Sequence, residues 1–573
     1  MSDLIIRIGG EGGEGIISAG DMITQAATRS GLNVLTFKTF PAEIRGGYAM
    51  YQVRFSKDHI MSEGSGSNIF CAFNQEALDK NKADLKPGTV LIYDYPDGDI
   101  AEEVKIDGVT CYPLPMSRIA KKDLEMYRAK NMVALGALSF MFDIALEELK
   151  DLLREKFGKK GEQVVATNLK AVDAGIAYMK EHNKKTDPFT MGNVGKMAKD
   201  VIIISGNEAA GLGAVLGGCR FFSAYPITPA TEIANYMAQW LPKLDGTLVQ
   251  AEDEIASLAN VLGASYAGAR AMTSTSGPGL SLMQELIGLA SMAELPVVIV
   301  DVQRGGPSTG MPTKHEQSDL FMACHGGHGD APRIVLSPEN VADIINLTAE
   351  AFNLAEEYQM PVLVLSDGSL GFRTESITRP DPAKFKLVTR ARYAGGEGFK
   401  RYEITPTGIS PMSLPGDDVA GSYIATGLEH NESSNPNFTP ENRVKHCDKR
   451  FAKLKTLVDK YHAPELQGDG PADVGIISFG STMGVSREAV ALARKEGLKV
   501  KALHPRLIWP MQVEHIKAFA ATCKKILVPE CNAQGQLAEL LRGQTGINPV
   551  SYRLYDGLPF SPQQLLTKIK EVM

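Results

Sequence analysis

The sequence predicts an α/β protein built from several doubly wound parallel-sheet domains. Two patterns carry that expectation: short apolar runs that end in glycine-rich turns, and amphipathic stretches that follow them at roughly the 30-residue spacing of a βαβ unit. Size and composition bound it. The 573 residues are 44 % hydrophobic and 22 % charged, which is ordinary globular composition, and at about 100 to 200 residues per domain they make three or four domains.

Taken in order, LIIRI (4–8) reads as a strand, GGEGGEG as its turn and IISAGDMITQAATRSG as a helix. VLTF (34–37), AMYQVRF (49–55), NIFCAF (68–73) and TVLIYDY (89–95) continue as strands, followed by a helical stretch over 121–179 and a polar linker, EHNKKTDPFTMGN, at 181–193. A first domain is expected over 1–190. The second, 198–375, opens on VIIIS and GNEAA and repeats strand, small-residue loop and helix through AMTSTSGPGL, LPVVIVDVQRGG and MPVLVLSDGSLG. Residues 376–468, rich in Pro, Gly, Asn and charge, read as an excursion and linker, and 469–573 returns to the alternation in DVGIISFGS, GLKVKALHP and KKILVPE.

Charge and cysteines exclude several classes. A net charge of −7 (60 Lys+Arg, 67 Asp+Glu), with no long basic tract, leaves no footprint for a nucleic-acid backbone. No apolar run reaches the ~18 residues of a membrane span. The seven cysteines are scattered without a C-x-x-C, which argues against a zinc site or iron–sulfur cluster held by this chain alone. With an opening segment that lacks signal-peptide features, this usage points to a reducing cytoplasm.

Gly10, Gly12 and Gly15 fit G-x-G-x-x-G between a strand and a helix, where backbone amides and the helix dipole can hold a pyrophosphate. Lys38 stands near the end of the second strand, where a nicotinamide site wants an acid, so a phosphate-bearing ligand such as coenzyme A suits the loop better; the plain alternative is a tight packing turn. In SAYPITPATEI, Pro226 and Pro229 fix a loop that exposes Thr228 as a donor to a carboxylate, or that is simply rigid. Glu252, Asp253 and Glu254 sit at a strand end before an apolar helix. Acids there commonly answer the macrodipole, but three are more than a helix start needs, and Glu254 adjoins the apolar face. Arg304 follows an apolar strand at the carboxyl end of a sheet, placed to take a carboxylate in two hydrogen bonds beside Ser308, Thr309 and Thr313. CHGGHGD (324–330) reads as a packing or binding loop rather than a metal site, QGDGP (467–471) as a boundary turn, and Glu530, Asn532 and Gln536 as interface, ligand or structural positions.

Together these motifs resemble the α subunit of 2-oxoacid:ferredoxin oxidoreductases, in the form with a γ domain fused ahead of it. GGEGGEG with PAEIRGG (41–47) is similar to the γ domain, GNEAA, YPITP, AEDEIAS and RGGPSTGMPT to the unit that binds the aminopyrimidine of thiamine diphosphate, and the last region to the transketolase C-terminal type of domain. The resemblance implies that Glu254 hydrogen-bonds the pyrimidine N1′ and acts as a tautomer switch, with Tyr225, Pro226 and Ile227 at the cofactor. It implies Thr228, Arg304 and Thr313 at the substrate, and Gly10, Gly12 and Gly15 facing coenzyme A. The G-D-G to Asn segment for Mg2+ and pyrophosphate and the cluster cysteines are both missing. A separate β subunit is therefore expected to bring them, in an αβ heterodimer or its dimer, with ferredoxin as electron acceptor. The fused layout and the HGGHGD loop favour 2-oxoglutarate, with pyruvate or a branched-chain 2-oxoacid as alternatives. A non-catalytic nucleotide-binding scaffold is the alternative of another class.

Overall fold

The glycine turn after Leu4–Ile8 closes β1 (Asp3–Glu11), the middle of an eight-stranded sheet in a computed structural model that describes residues 3–41, 46–95, 104–126, 129–192 and 194–573. Its other strands are β2 (Asn33–Thr39), β3 (Tyr48–Ser56), β4 (Ile69–Ala72), β5 (Val90–Tyr93), β6 (Thr110–Pro113), β7 (Val201–Ser205) and β14 (Thr374–Thr378), in the order β6-β5-β4-β1-β3-β2-β14-β7. This sheet is mixed rather than largely parallel. β1, β4, β5 and β6 run parallel, but β3 lies antiparallel between β1 and β2. The cleft that a dinucleotide fold keeps beside its first strand is thus filled by β3. Helix Ile16–Arg29 packs on β3 because Gly20 carries no side chain: a Cβ there would stand 2.1 Å from the Tyr51 ring. The VIIIS run, expected to open the second domain, is instead the sheet's outermost strand beside β14. These residues, Met1–Ile204 with Arg373–Arg379, form one compact unit.

The other unit, Ser205–Phe372 with Pro380–Met573, holds two sheets of the expected doubly wound kind. The first comprises β8 (Phe221–Ala224), β9 (Thr247–Gln250), β10 (Ala271–Thr275), β11 (Val297–Gln303), β12 (Ile334–Leu336), β13 (Pro361–Asp367) and β18 (Leu507–Trp509), ordered β18-β12-β13-β11-β10-β8-β9. The central strands β11 and β13 are buried at every residue, as near-continuous apolar runs between two helical layers require. The second sheet comprises β15 (Glu465–Gln467), β16 (Ala472–Ile477), β17 (Val500–His504), β19 (Cys523–Glu530) and β20 (Val550–Arg553), ordered β15-β17-β16-β19-β20. β18 crosses from that region to pair antiparallel with β12, so the two sheets are stitched together.

The segment read as an excursion is fastened onto this unit by buried charge. Lys449 and Lys453, on helix Pro440–Lys460, both reach the Glu294 carboxylate at 2.6 Å with all three side chains buried, and Arg401 donates to the Glu294 carbonyl at 2.8 Å. Arg390 binds Glu356 through Nε at 2.6 Å and the Ser265 carbonyl through Nη1 at 2.7 Å. Several of the charges in this polar segment are thus paired inside the protein, while much of 380–440 remains exposed. Among the described residues no helix is long and apolar enough to cross a membrane.

Candidate active site

The carboxyl ends of β8, β9, β10 and β11 bring the principal candidates together. After β8 the chain turns through Tyr225–Ala230, where the Ile227 carbonyl accepts from the amides of Ala230 and Thr231. Asn207, in the first turn of helix Gly206–Leu216, anchors that turn by donating to the Pro229 carbonyl at 2.8 Å and to Glu232 at 3.1 Å. Sequence reasoning singled out GNEAA but not this role. Tyr225 is 41 % exposed, Pro226 is exposed, and Ile227 and Thr228 are half-buried.

The three acids after β9 separate cleanly. Glu252 is exposed, Asp253 caps the helix by accepting from the Ala256 amide at 2.7 Å, and Glu254, the first helical residue, is only 6 % exposed. Its side chain lies against Gly279, where a Cβ would stand 2.6 Å from Glu254 Cγ and 2.8 Å from Oε1. Among the described residues, no hydrogen bond or ion pair engages the Glu254 carboxylate. Its carboxylate is therefore free to accept from a donor that the chain does not supply.

Arg304, at the end of β11 and 8 % exposed, donates from Nη1 to the Thr228 carbonyl at 2.7 Å and from Nη2 to the Thr309 carbonyl at 3.2 Å. The contacts thus use the backbones of Thr228 and Thr309 and leave their hydroxyls aside. Nε is buried without an acceptor. Burial lowers the guanidinium's pKa, against the opposing fields of Asp319 and Glu254. Thr313 is half-buried on a loop closed by the Gly305 amide on the Lys314 carbonyl at 3.1 Å. A cleft of about 670 Å³ opens beside Arg304, lined also by Pro278, Asp319, Asn532, Gln534 and Tyr555.

Several polar positions around the cleft escaped the sequence reading. Gln317 is fully buried and ties the two sheets together, donating to Asp367 at 3.1 Å and to the Phe479 carbonyl at 2.9 Å, and accepting from Thr482 at 2.9 Å. Asp301 and Asp319, near Arg304, also went unnoticed, since lone acids at a strand end and in a loop carry no pattern. Glu530 proves structural: it accepts from the amides of Leu537 and Ala538, while Asn532 and Gln536 line the cleft. Cys324 is buried, its thiol pKa raised by that burial, and the His325 ring meets Trp509 edge-on at 4.5 Å.

In the other unit the glycine loop makes several hydrogen bonds within the protein. The Glu14 carboxylate accepts from the Glu11 amide at 2.8 Å, the Gly12 amide donates to the Gly47 carbonyl at 2.9 Å, and the Glu14 amide donates to the Glu11 carbonyl at 3.1 Å. Gly10, Gly12 and Gly15 are each required by crowding: a Cβ would stand 2.7 Å from Glu14 Oε2, 2.7 Å from the Gly46 carbonyl and 2.5 Å from Asn131 Nδ2. Lys130 pairs with Glu14 at 2.8 Å and Asp94 at 3.0 Å. Within PAEIRGG, Ala42 to Arg45 lie outside the described residues.

Glu254 and Arg304 thus stand at the carboxyl ends of a doubly wound sheet, the place where open α/β enzymes bind their ligands. Three family models match the chain: pyruvate ferredoxin/flavodoxin oxidoreductase over residues 5–178, its thiamine-diphosphate-binding domain over 212–449, and pyruvate:ferredoxin oxidoreductase core domain II over 472–556. The chain is 32 % identical to the 2-oxoglutarate oxidoreductase subunit KorA of Mycobacterium tuberculosis, over 99 % of this chain and 91 % of that one. It is 42 % identical to a 2-oxoglutarate synthase subunit KorA of Methanothermobacter thermautotrophicus, over 61 % and 92 %. A solved 2-oxoglutarate:ferredoxin oxidoreductase from Magnetococcus marinus, with 2-oxoglutarate, coenzyme A and succinyl-CoA bound, matches all of both chains at 56 % identity and TM-score 0.96. The chain belongs to the 2-oxoacid:ferredoxin oxidoreductase family, among its α subunits. The thiamine-diphosphate-binding match runs past Phe372 into the segment that composition reads as an excursion.

Proposed function

We propose that the chain is the α subunit of a thiamine-diphosphate-dependent 2-oxoglutarate:ferredoxin oxidoreductase, carrying out oxidative decarboxylation to succinyl-CoA or the reverse carboxylation. The observation that carries this reading is the buried Glu254 carboxylate, which lacks a donor and lies against Gly279. It fits the protonated N1′ of an aminopyrimidine, since a ring N–H supplies the missing hydrogen bond. When bound, thiamine diphosphate supplies the electron sink that lets a 2-oxoacid lose CO2.

The chain's own residues then have distinct tasks. Glu254 holds the N1′ proton and thereby sets the ring's tautomer. Tyr225, Pro226 and Ile227 form the wall against the ring. Arg304 binds the substrate carboxylate, with Thr228 and Thr313 beside it, and the rigid turn held by Asn207 fixes the acid's position. What supports a pocket shared with a β subunit is that Tyr225 and Pro226 lie bare at the strand end. That partner is assigned Mg2+, the pyrophosphate end and the iron–sulfur cluster, because this sequence has neither a G-D-G to Asn segment nor a C-x-x-C. Coenzyme A at Gly10, Gly12 and Gly15, ferredoxin as acceptor, an αβ heterodimer or its dimer, and a cytoplasmic location complete the proposal. So do the limits 1–190 for a γ-like domain, 198–375 for the pyrimidine domain, 376–468 for the excursion and 469–573 for the C-terminal domain, with the boundary strands Val201–Ser205 and Thr374–Thr378 paired into the first sheet.

The test is co-expression with the partner subunit. The complex should reduce a viologen dye only when 2-oxoglutarate and coenzyme A are both present. Equal or greater specificity for pyruvate, or full activity of this chain alone, contradicts the proposal.

A further inference from the structure

Asp301 lies in β11, three residues before Arg304, wholly buried, and neither of its carboxyl oxygens meets a donor among the described residues. The side chain of Asp319, just ahead of helix Leu320–His325, is within hydrogen-bonding contact of it. Asp319 lines the cleft and packs on Gly277, where a Cβ would stand 2.7 Å from Oδ1 and 2.8 Å from Oδ2; its own Oδ2 also lacks a donor. With Asp301 wholly buried and Asp319 half-buried at the cleft, two neighbouring carboxyl groups disfavour being ionised together, and one shared proton relieves both.

Other groups face this pair from each neighbouring element. Glu316 and Ser318 come from the same loop, Gln303 accepts from the Asp319 amide at 3.0 Å, and Arg304 is the cation at the end of β11. Glu254 acts on that cation from the start of its own helix. Burial raises the pKa of Asp319 most, the Glu316 carboxylate raises it further and Arg304 pulls it back, leaving it pushed up to about 7. Independently, Arg304 is more than nine-tenths buried at the cleft and leaves Nε without an acceptor, which points to an anionic ligand there.

We propose that Asp319, backed by Asp301, is a positioning residue for Arg304, and that the protons on the pair decide whether the guanidinium's charge is neutralised internally or offered to the substrate. With one proton the pair carries a negative charge that offsets Arg304. With two it is neutral, and Arg304 is free for the anion. Binding a 2-oxoacid therefore takes up one proton from solvent onto the pair, with no other chemical change. This inference rests on the reading that Arg304 binds the substrate carboxylate.

The test uses the assembled αβ enzyme and its KM and kcat for 2-oxoglutarate from about pH 6 to 8.5, where the substrate's carboxylates do not titrate. KM should rise toward tenfold per pH unit above neutrality while kcat moves less than about twofold, the split that marks lost binding rather than lost chemistry. Asp319→Asn and Asp301→Asn should each flatten the KM profile. A wild-type KM independent of pH, or a slope kept by both variants, overturns the inference. Should the variants fail to assemble, calorimetry on the wild-type complex, titrating 2-oxoglutarate in two buffers of different ionisation heat, reads the proton directly. Uptake near neutral pH supports the pair's role, and none overturns it. Arg304→Lys separates the two readings: an unchanged KM in that variant sinks the substrate assignment itself, whereas a raised KM with pH-insensitive wild-type binding sinks only the acid pair.

Discussion

Two glycine-rich strand ends in this chain look alike in sequence and differ in what they hold. At Gly10 to Gly15 the space left by missing side chains is occupied by the protein itself: Glu14 takes the Glu11 amide, and the Gly12 amide is bound to Gly47. At Gly277 and Gly279 the space admits the carboxylates of Asp319 and Glu254; Asp319 Oδ2 is buried without a partner, and the Glu254 carboxylate makes no hydrogen bond among the described residues. The comparison teaches that glycine reports close approach, while an unsatisfied buried polar group reports a missing partner.

The sharpest way to break this contrast is at Glu254. In the assembled enzyme, Glu254→Gln should lower kcat by on the order of 100-fold or more, with the complex still folded and the substrate KM little changed. Steady-state kinetics and circular dichroism check it, and near-normal turnover would remove the assignment. Gly279→Ala tests the same place by crowding. Its Cβ would press on Glu254 and on Thr275 Oγ1, so turnover should fall roughly tenfold or more, with a loss of stability of about 1–3 kcal/mol.

Gly12→Ala is the counterpart in the other unit. Its Cβ meets the Gly46 carbonyl, which is backbone and cannot swing away, so the expected effect is about 1–3 kcal/mol of stability, read by denaturant unfolding. On the proposed placement of coenzyme A at this loop the same substitution should also weaken coenzyme A binding, and unchanged binding would remove that placement.

The buried clamp on 376–468 sharpens the comparison further, because there both oxygens of a buried carboxylate, that of Glu294, are paired with Lys449 and Lys453. Burial alone would raise the pKa of Glu294, but the combined fields of Lys449, Lys453 and Arg401 outweigh it and hold the carboxyl well below its ordinary range. Its stabilising contribution is therefore present above the unfolded value of 4.5 and is lost as pH falls through the lowered folded value. Glu294→Gln should cost about 3–5 kcal/mol, by leaving buried ammonium groups unpaired, and should blunt the acid sensitivity of unfolding. Unchanged stability from pH 7 down to about 3 in the wild type would contradict the clamp.

How much of this was legible in the sequence follows the same physical line. The apolar strands β11 and β13, the glycine turns, and the positions of Glu254 and Arg304 at strand ends are local signals, and they appear where periodicity and turn chemistry put them. The antiparallel insertion of β3 and the transfer of VIIIS and Thr374–Thr378 to the first sheet were not legible, because strand pairing depends on partners distant in sequence. The excursion misled for a related reason: Lys449 and Lys453 read as solvated charge until Glu294, about 150 residues earlier, is placed against them. Asp301 and Asp319 form their pair only through the loop geometry beyond β11.

The central claim is most directly tested by a structure of the co-purified αβ complex with thiamine diphosphate bound. The account predicts a Glu254 carboxylate oxygen within hydrogen-bonding distance of the pyrimidine N1′, about 2.6–3.0 Å, with the diphosphate held by the partner subunit. A ring bound elsewhere, with Glu254 still lacking a donor, would contradict it.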